Sequence, residues 1–121
     1  MDYKMTTKYF SPDEFICKCG CQKIAMNAEF VSKLDELREW LGRPVWITSG
    51  FRCAEHNRQV GGSPRSYHLK GQAADIVCES GVDRYQLLAA AIRLGFGGIG
   101  IDKNFIHVDN RAEVVKRIWA Y

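Results

Sequence analysis

The chain has 121 residues, of which 46% are hydrophobic and 26% are charged, and its formal net charge at pH 7 is +3. Because these values are ordinary for a globular protein, the sequence predicts one small domain with a modest hydrophobic core. The positive charge is weak and no basic cluster is interleaved with aromatic residues, so we expect no nucleic acid partner. No apolar run approaches the roughly 18 residues that a membrane-spanning helix requires, so we expect no membrane span.

The N-terminal residues are polar. Residues 1–8 lack the apolar core of a secretory signal, which predicts synthesis in the cytoplasm without a signal peptide. We interpret about residues 1–9 as an N-terminal extension of a single domain that spans the chain. A helix start follows, because Ser11 is a favourable cap, Pro12 suits the first helical position and Glu14 suits the third.

The chain contains five cysteines, Cys17, Cys19, Cys21, Cys53 and Cys78. The first three occupy alternate positions, which is not the C-x-x-C spacing of structural zinc sites, and the other two are remote in sequence. Reduced thiols in a reducing compartment are the plainest interpretation. A structural metal and one or two disulfides remain open as alternatives. None of these cysteines is assigned to the catalytic site.

Two amphipathic helices are predicted from apolar side chains that recur at three- and four-residue intervals. Asn27 caps the first helix and Gly42 ends it, while Ser80 precedes the second and Gly95 stops it. Residues 53–60 are expected to form a helical turn. The apolar stripes of both helices indicate core positions rather than a cofactor site.

Four strands are predicted, near Val45, Ala73, Ile99 and Phe105. With helices between some of them, this order predicts an α+β fold in which helices pack on one antiparallel sheet and the functional site lies at the open face. Residues 114–121 are expected to form a terminal amphipathic segment that packs Trp119 against the domain. The glycine-rich stretch 97–101 lacks a G-x-G-x-x-G context, so nucleotide binding is not expected.

The stretch 66–76 holds an imidazole and a carboxylate seven positions apart, His68 and Asp75. Gly71 between them frees the backbone from ordinary dihedral limits, and residues 73–77 are predicted to be a buried strand. A buried carboxylate is costly unless it is paired or binds a metal. An arginine partner for Asp75, with a half-buried His68, is the alternative to a metal.

A second stretch, 105–109, alternates apolar and polar side chains and predicts a strand with His107 and Asp109 on one face. The chain has only three histidines, and two of them lie near carboxylates in strand-like contexts. Two imidazoles and one carboxylate, with a fourth position left to water, are the ligands of a catalytic zinc site. The two stretches together therefore predict a metal centre.

The pattern Ser-x-His-x-x-Gly-x-Ala-x-Asp, followed by a later histidine on a strand, resembles the zinc D-Ala-D-Ala peptidases. These are peptidoglycan carboxypeptidases and endopeptidases, related in structure to the zinc domain of Hedgehog proteins. The resemblance covers about residues 10–111 and includes the stretches 49–52, 56–57, 60–62 and 97–101. It implies a Hedgehog/DD-peptidase-like fold and one Zn²⁺ per chain, held by His68, Asp75 and His107.

Hydrolysis also requires a carboxylate that takes a proton from water and passes it to the leaving amine. Many relatives place this group three residues before the second zinc histidine, where this chain has Asn104, which is not a useful proton acceptor. Asp109 is the first replacement and Asp102 is the second. Alternatively, Asp109 orients a metal ligand through a hydrogen bond or pairs with Arg111.

Three further residues are candidates for substrate binding. The family uses an arginine in a Ser-Gly-aromatic-Arg context for the carboxylate or equivalent backbone of the peptide, and Arg52 has that context. Its planar guanidinium suits a bidentate contact, with a structural salt bridge as the alternative. Ser66 would hydrogen-bond the substrate or fix the loop. His56 would face the substrate or support the site, with a capping or core role as the alternative.

Two functions of different class remain. The first is a zinc-dependent metallopeptidase that hydrolyses stem or cross-bridge peptides of peptidoglycan at a bond involving a D-amino acid, of the D-Ala-D-Ala carboxypeptidase or endopeptidase type. The second is a non-catalytic, zinc-containing module that binds cell wall or a protein. The convergence of candidate residues favours the enzyme. We expect a monomer that acts on the cell wall, and the compact chain points towards a phage or prophage product such as an endolysin.

Overall fold

The structure is a computed structural model that describes residues 7–121. Residues 7–121 contain the helices α1 (Ala28–Leu41), α2 (Ala54–Gln59) and α3 (Gly81–Arg93). The strands in the same described part of the chain are β1 (Ile47–Ser49), β2 (Ala73–Val77), β3 (Gly98–Ile101), β4 (Phe105–Asp109) and β5 (Arg117–Ala120). Two short 3₁₀ helices cover Pro12–Phe15 and Tyr67–Lys70. Within the described range, no helix combines the length and apolarity needed to cross a bilayer.

The helix ends follow from the capping residues. The Asn27 side chain accepts a hydrogen bond from the Phe30 N–H at 2.9 Å, and Gly42 takes the left-handed conformation that ends α1. Ser80 caps α3 in the same way by accepting from the Asp83 N–H at 3.1 Å. The predicted boundaries of both helices are therefore confirmed.

The strands form one sheet in the order β1-β2-β4-β3-β5. The pairs among β1, β2, β4 and β3 are antiparallel, as expected, but β5 pairs with β3 in parallel, so the prediction of a wholly antiparallel sheet was wrong. β4 already has a neighbour on each side. β5 therefore cannot pair with β4 and pairs instead with the free edge of β3. Because the chain reverses direction after β4, which is antiparallel to β3, β5 runs parallel to β3. The predicted terminal segment is this edge strand.

The two faces of the sheet have different roles. Apolar side chains of β2 and β4, such as Ala74, Ile76 and Val108, belong to the same buried core as the apolar stripes of α1 and α3. Because neighbouring residues of a strand point to opposite faces, Asp75 and His107 lie on the face away from this core. The mixed α+β architecture is therefore as predicted, and the closer Hedgehog/DD-peptidase-like assignment stays a prediction.

The predicted N-terminal extension is partly attached to the domain. Residues 1–6 lie outside the described residues. The Thr7 hydroxyl donates to Asp35 Oδ1 at 2.7 Å, and the N–H groups of Lys8 and Tyr9 also donate to the Asp35 carboxylate. Phe10 is then buried in the core. From Thr7 onward the chain is thus held against α1.

Candidate functional site

Three predicted ligands converge on the face of the sheet opposite the helices. Asp75 and His107 are direct partners across β2 and β4, and His68 reaches them from the 3₁₀ helix Tyr67–Lys70. Asp75 Oδ1 lies 3.2 Å from His68 Nε2 and 3.0 Å from His107 Nδ1. One ligand atom from each residue lies within 4.8 Å of the others, so the three could hold one metal ion.

The backbone fixes the orientation of the His68 ring. His68 Nδ1 lies 2.7 Å from the carbonyl oxygen of Gly50, which can only accept, so Nδ1 carries a hydrogen and Nε2 is the nitrogen that would bind a metal once its own proton is displaced. Gly50 packs closely against another segment, because a Cβ there would approach Phe15 Cα to 2.7 Å. Gly71 ends the 3₁₀ helix in the left-handed conformation, where a Cβ would overlap the Ala25 carbonyl.

A carboxylate fixes the His107 ring in a similar way. His107 Nε2 lies 2.7 Å from Asp109 Oδ2, which leaves Nδ1 directed towards Asp75. Asp109 is fully buried, and its two oxygens accept from Arg111 Nε at 2.8 Å and Arg111 Nη2 at 2.7 Å. The sequence left open whether Asp109 accepts a proton or positions a metal ligand. The geometry favours positioning, because both carboxylate oxygens already contact Arg111 and one also contacts the His107 ring.

The electrostatics match these contacts. Burial alone would raise the pKa of Asp75, but the hydrogen bonds of His107 and His68 outweigh it and hold that pKa well below its usual value. Burial alone would lower the pKa of His107, but Asp109 and Asp75 raise it. For Asp109, the bonds from Arg111 and His107 likewise overcome burial and lower the pKa. Asp75 and Asp109 are therefore ionised, and a divalent cation bound by Asp75 would displace the protons that the imidazoles share with it.

The residues present fit a metal of the zinc type. His68, Asp75 and His107 are 2%, 6% and 6% exposed, so the metal would be largely shielded from solvent. Two imidazole nitrogens and one carboxylate oxygen are a ligand set that zinc accepts while keeping a position for substrate or water. The second nitrogen of each ring has the hydrogen-bond partner expected of a metal-binding histidine.

A cleft of about 910 Å³ opens over the three residues. Arg52 lines it, and its guanidinium is held by three partners: Ser49 Oγ at 3.3 Å, Asn57 Oδ1 at 3.3 Å and Asp75 Oδ2 at 3.5 Å. The basic residues that line the cleft outnumber the acidic ones: Arg52, Arg65, Lys70, Arg111 and Arg117 against Asp75 and Glu113. An anionic peptide therefore suits this cleft.

Several residues that line the cleft were not singled out from the sequence as site residues, among them Tyr67, Arg111, Trp119 and Tyr121. The Arg111 guanidinium lies between two rings, 4.7 Å from the centroid of Tyr67 and 5.0 Å from that of Trp119. The Trp119 ring is in turn 5.4 Å from the His107 ring. The sequence indicated that Trp119 packs on the domain, but its place at the site depends on the parallel pairing of β5.

Glycines of β3 make room for this arrangement. A Cβ on Gly98 would lie 2.6 Å from the Asp109 carboxylate oxygens and 2.5 Å from Arg111 Nε. A Cβ on Gly100 would lie 2.8 Å from Trp119 Nε1. The glycine-rich stretch of the sequence thus serves close packing beside His107.

The remaining predicted residues lie around the site with different roles. Ser66 lines the cleft, and its Oγ accepts from the His68 N–H at 3.2 Å, as expected if it fixes the loop. Asp102 Oδ2 accepts from the Asn104 N–H at 3.0 Å in the β3–β4 turn, and neither residue is among those that line the cleft. The same is true of His56, whose backbone N–H donates to Cys53 Sγ at 3.4 Å.

The comparisons with known proteins agree with the site. The family model of Peptidase M15 matches residues 8–109. The peptidoglycan L,D-endopeptidase MepK of Escherichia coli (strain K12) is 35% identical to this chain over 74 residues, and the protein of that name from Shigella flexneri matches equally. Each match covers 55% of this chain but 40% of the relative, so the chain spans less than half the length of these relatives. Since the family model extends over most of the sequence, the chain belongs to the Peptidase M15 family, as its resemblance to zinc peptidases had predicted.

Proposed function

We propose that this chain is a zinc-dependent peptidase that cleaves peptides of peptidoglycan. One observation carries the proposal: ligand atoms of His68, Asp75 and His107 converge within 4.8 Å at the floor of a cleft. The ring nitrogen of His68 that faces away from the site contacts the Gly50 carbonyl and that of His107 contacts Asp109, which is the arrangement typical of metal-binding histidines. Family membership and the activity named for the MepK relatives support the same conclusion.

In the proposed reaction His68, Asp75 and His107 hold the zinc. The ion supplies Lewis-acid chemistry when bound, since it polarises a carbonyl oxygen and makes water more acidic. Arg52 binds a carboxylate of the peptide, because its guanidinium is held in place and faces the cleft. Asp109 is a positioning residue that keeps the His107 ring in the orientation the metal requires.

Proton transfer is assigned to a residue that the sequence did not suggest. Of the described carboxylates, only Asp75 and Glu113 line the cleft, and Asp75 is a proposed ligand. Glu113 lies 3.1 Å from Arg117 Nε in an exposed ion pair, so its side chain has the freedom to reach a substrate. We therefore propose Glu113 as the proton acceptor in place of Asp109 or Asp102.

For the bond that is cut, we propose an endopeptidase rather than a D-Ala-D-Ala carboxypeptidase. The matched relatives are named L,D-endopeptidases, and the match includes more than half of this chain. The excess of basic residues along the cleft also suits peptidoglycan peptides that carry several free carboxylates. Action on the cell wall follows from this substrate.

Digestion of purified peptidoglycan tests the proposal. We expect the protein to split cross-linked peptides and release new amino groups, to lose this activity with a chelator and to regain it with zinc. Mass spectrometry of the products identifies the bond, because a carboxypeptidase would release single D-Ala residues instead. Intact peptides together with tight binding to sacculi would contradict the enzyme and support the non-catalytic zinc-containing module. The observation that favours this module is that Asn104 stands where many relatives have a carboxylate.

A further inference from the structure

We propose that Cys17, Cys19, Cys21 and Cys53 form a second metal site, which holds a structural zinc ion outside the cleft. The four Sγ atoms lie within 4.8 Å of one another, and none of the four residues lines the cleft. No sequence pattern joins Cys53 to the other three cysteines, because it follows them by more than thirty positions. This site is independent of the proposed peptidase activity.

The sulfur positions have the dimensions of a tetrathiolate zinc site. Cys17 Sγ lies 3.6 Å from Cys19 Sγ and 3.7 Å from Cys53 Sγ, and the Cys19 and Cys53 sulfurs are also 3.7 Å apart. Thiolates bound at about 2.3 Å to a tetrahedral zinc are separated by about 3.8 Å. Three of the sulfurs therefore already form one triangular face of such a tetrahedron, and Cys21 is the neighbour that completes it.

The backbone is shaped to bring these sulfurs together. Gly20 and Gln22 both have positive φ angles, 90° and 60°, so the chain turns tightly on either side of Cys21. Cys53 is the N-cap of α2 and is thus placed at a fixed point of the domain. The alternate cysteines at positions 17, 19 and 21 fold against Cys53. Their sulfurs can therefore converge although the spacing is not C-x-x-C.

Backbone N–H groups point to the sulfurs in the way that stabilises thiolate charge. The Cys53 N–H donates to Cys17 Sγ at 3.4 Å and the His56 N–H donates to Cys53 Sγ at 3.4 Å. The Lys23 N–H donates to Cys21 Sγ at 3.5 Å. Such bonds surround metal-bound ligands and orient them.

The chemistry of the ligand set selects the metal and the role. Four soft thiolates in a tetrahedron favour zinc over the oxygen-binding cations. Because four protein ligands leave zinc no open position, the site is structural rather than catalytic. Two disulfides would instead require sulfur pairs at about 2.0 Å, and the near-equal spacing of three sulfurs singles out no pair.

The site would connect the N-terminal segment to the cleft. Cys53 directly follows Arg52, whose side chain lines the cleft, and the Arg52 N–H donates to the His68 carbonyl at 3.1 Å. A zinc ion that joins Cys53 to residues 17–21 would therefore hold the Arg52 backbone in place from the other side.

Metal content and a cobalt spectrum of the full chain test the proposal. We expect two zinc ions per chain in wild-type protein purified with reductant, and one in a His68→Ala/His107→Ala variant. Cobalt(II) in that double variant should give intense sulfur-to-metal charge-transfer absorption and the d–d bands of a tetrahedral tetrathiolate. No zinc in the double histidine variant, or a cobalt spectrum of that variant without thiolate charge transfer, would overturn the assignment.

A cysteine variant with a matched control locates the second ion. Cys53→Ser should lose one zinc and the charge-transfer bands, whereas Cys78→Ser should keep both, because the Cys78 sulfur is buried elsewhere and contacts the Ser80 carbonyl. If Cys53→Ser does not fold, the spectrum of the double histidine variant still decides. Rapid reaction of four thiols with a thiol reagent in zinc-treated native protein would also contradict the site.

Discussion

Asp109 shows how a single buried residue can determine the properties of a site it does not enter. It is fully buried, yet its carboxylate stays ionised because Arg111 and His107 lower its pKa more than burial raises it. A carboxylate with a lowered pKa is a weak proton acceptor, and its oxygens face away from the cleft. Its effect is instead on His107, whose ring it orients.

Replacing Asp109 should therefore weaken metal binding before anything else. We expect Asp109→Asn to lower zinc affinity by about 10- to 100-fold, the range found when a hydrogen-bond partner of a metal ligand is changed. Competition with a chromophoric chelator measures this affinity. Asp102→Asn is the control, since Asp102 caps a turn outside the cleft, and equal zinc affinity in the two variants would remove Asp109 from the positioning role.

Arg52 should act on the substrate rather than on the metal. Arg52→Lys keeps the charge but loses the planar fork, so we expect a loss of kcat/KM of about 10-fold or more with unchanged zinc content. Rates on a soluble cross-linked peptide measure the effect. Arg58→Lys on the exposed side of α2 is the matched control and should leave kcat/KM as it is. Equal rates for the two variants would make Arg52 a structural residue.

Glu113 offers the sharpest test of the chemistry. If it accepts the proton, Glu113→Gln should lower kcat by about 10²- to 10⁴-fold while zinc affinity stays the same. Glu55→Gln, another exposed glutamate in an ion pair with an arginine, is the control. Unchanged turnover in Glu113→Gln would move proton transfer to another group.

Among the elements, β3 packs closely against β4 and β5 because Gly98 and Gly100 have no side chain. We expect Gly100→Ala to destabilise the fold by about 1–3 kcal/mol, because the added methyl group would press on Trp119 at the edge strand. Denaturant unfolding measures this free energy. Gly81→Ala is the control, since a Cβ there meets nothing within 4 Å at the start of α3. Equal stability of both variants would contradict the close packing.

At the scale of the whole molecule, metal binding should stabilise the folded state. A cation that binds only the native protein adds about 2.7 kcal/mol when its free concentration is about 100 times Kd. We therefore expect zinc to raise the thermal midpoint of chelator-treated protein, with magnesium as the control because it prefers oxygen ligands. A midpoint that does not respond to zinc would show that neither ligand cluster binds the metal in the native state.

Much of the architecture was predictable because its signals are local. Capping residues such as Asn27 and Ser80 determine where α1 and α3 begin, and alternation of side chains predicted the strand Phe105–Asp109. The convergence of His68, Asp75 and His107 was also predicted, since their motif resembles a known family. Capping and alternation depend only on neighbouring residues, whereas the convergence of the three ligands was implied by the family resemblance.

Local patterns in the sequence predicted the main helices, four of the five described strands and the α+β class, and the family resemblance added the three residues that could bind a metal in the cleft. Three features became visible in the folded structure alone: β5 pairs in parallel with β3, Glu113 rather than Asp109 lines the cleft, and Cys53 joins the N-terminal cysteines. The physical reason is that periodicity determines which face a side chain occupies within one element. Which elements become neighbours depends instead on which sheet edges and backbone positions are still free once the core has packed.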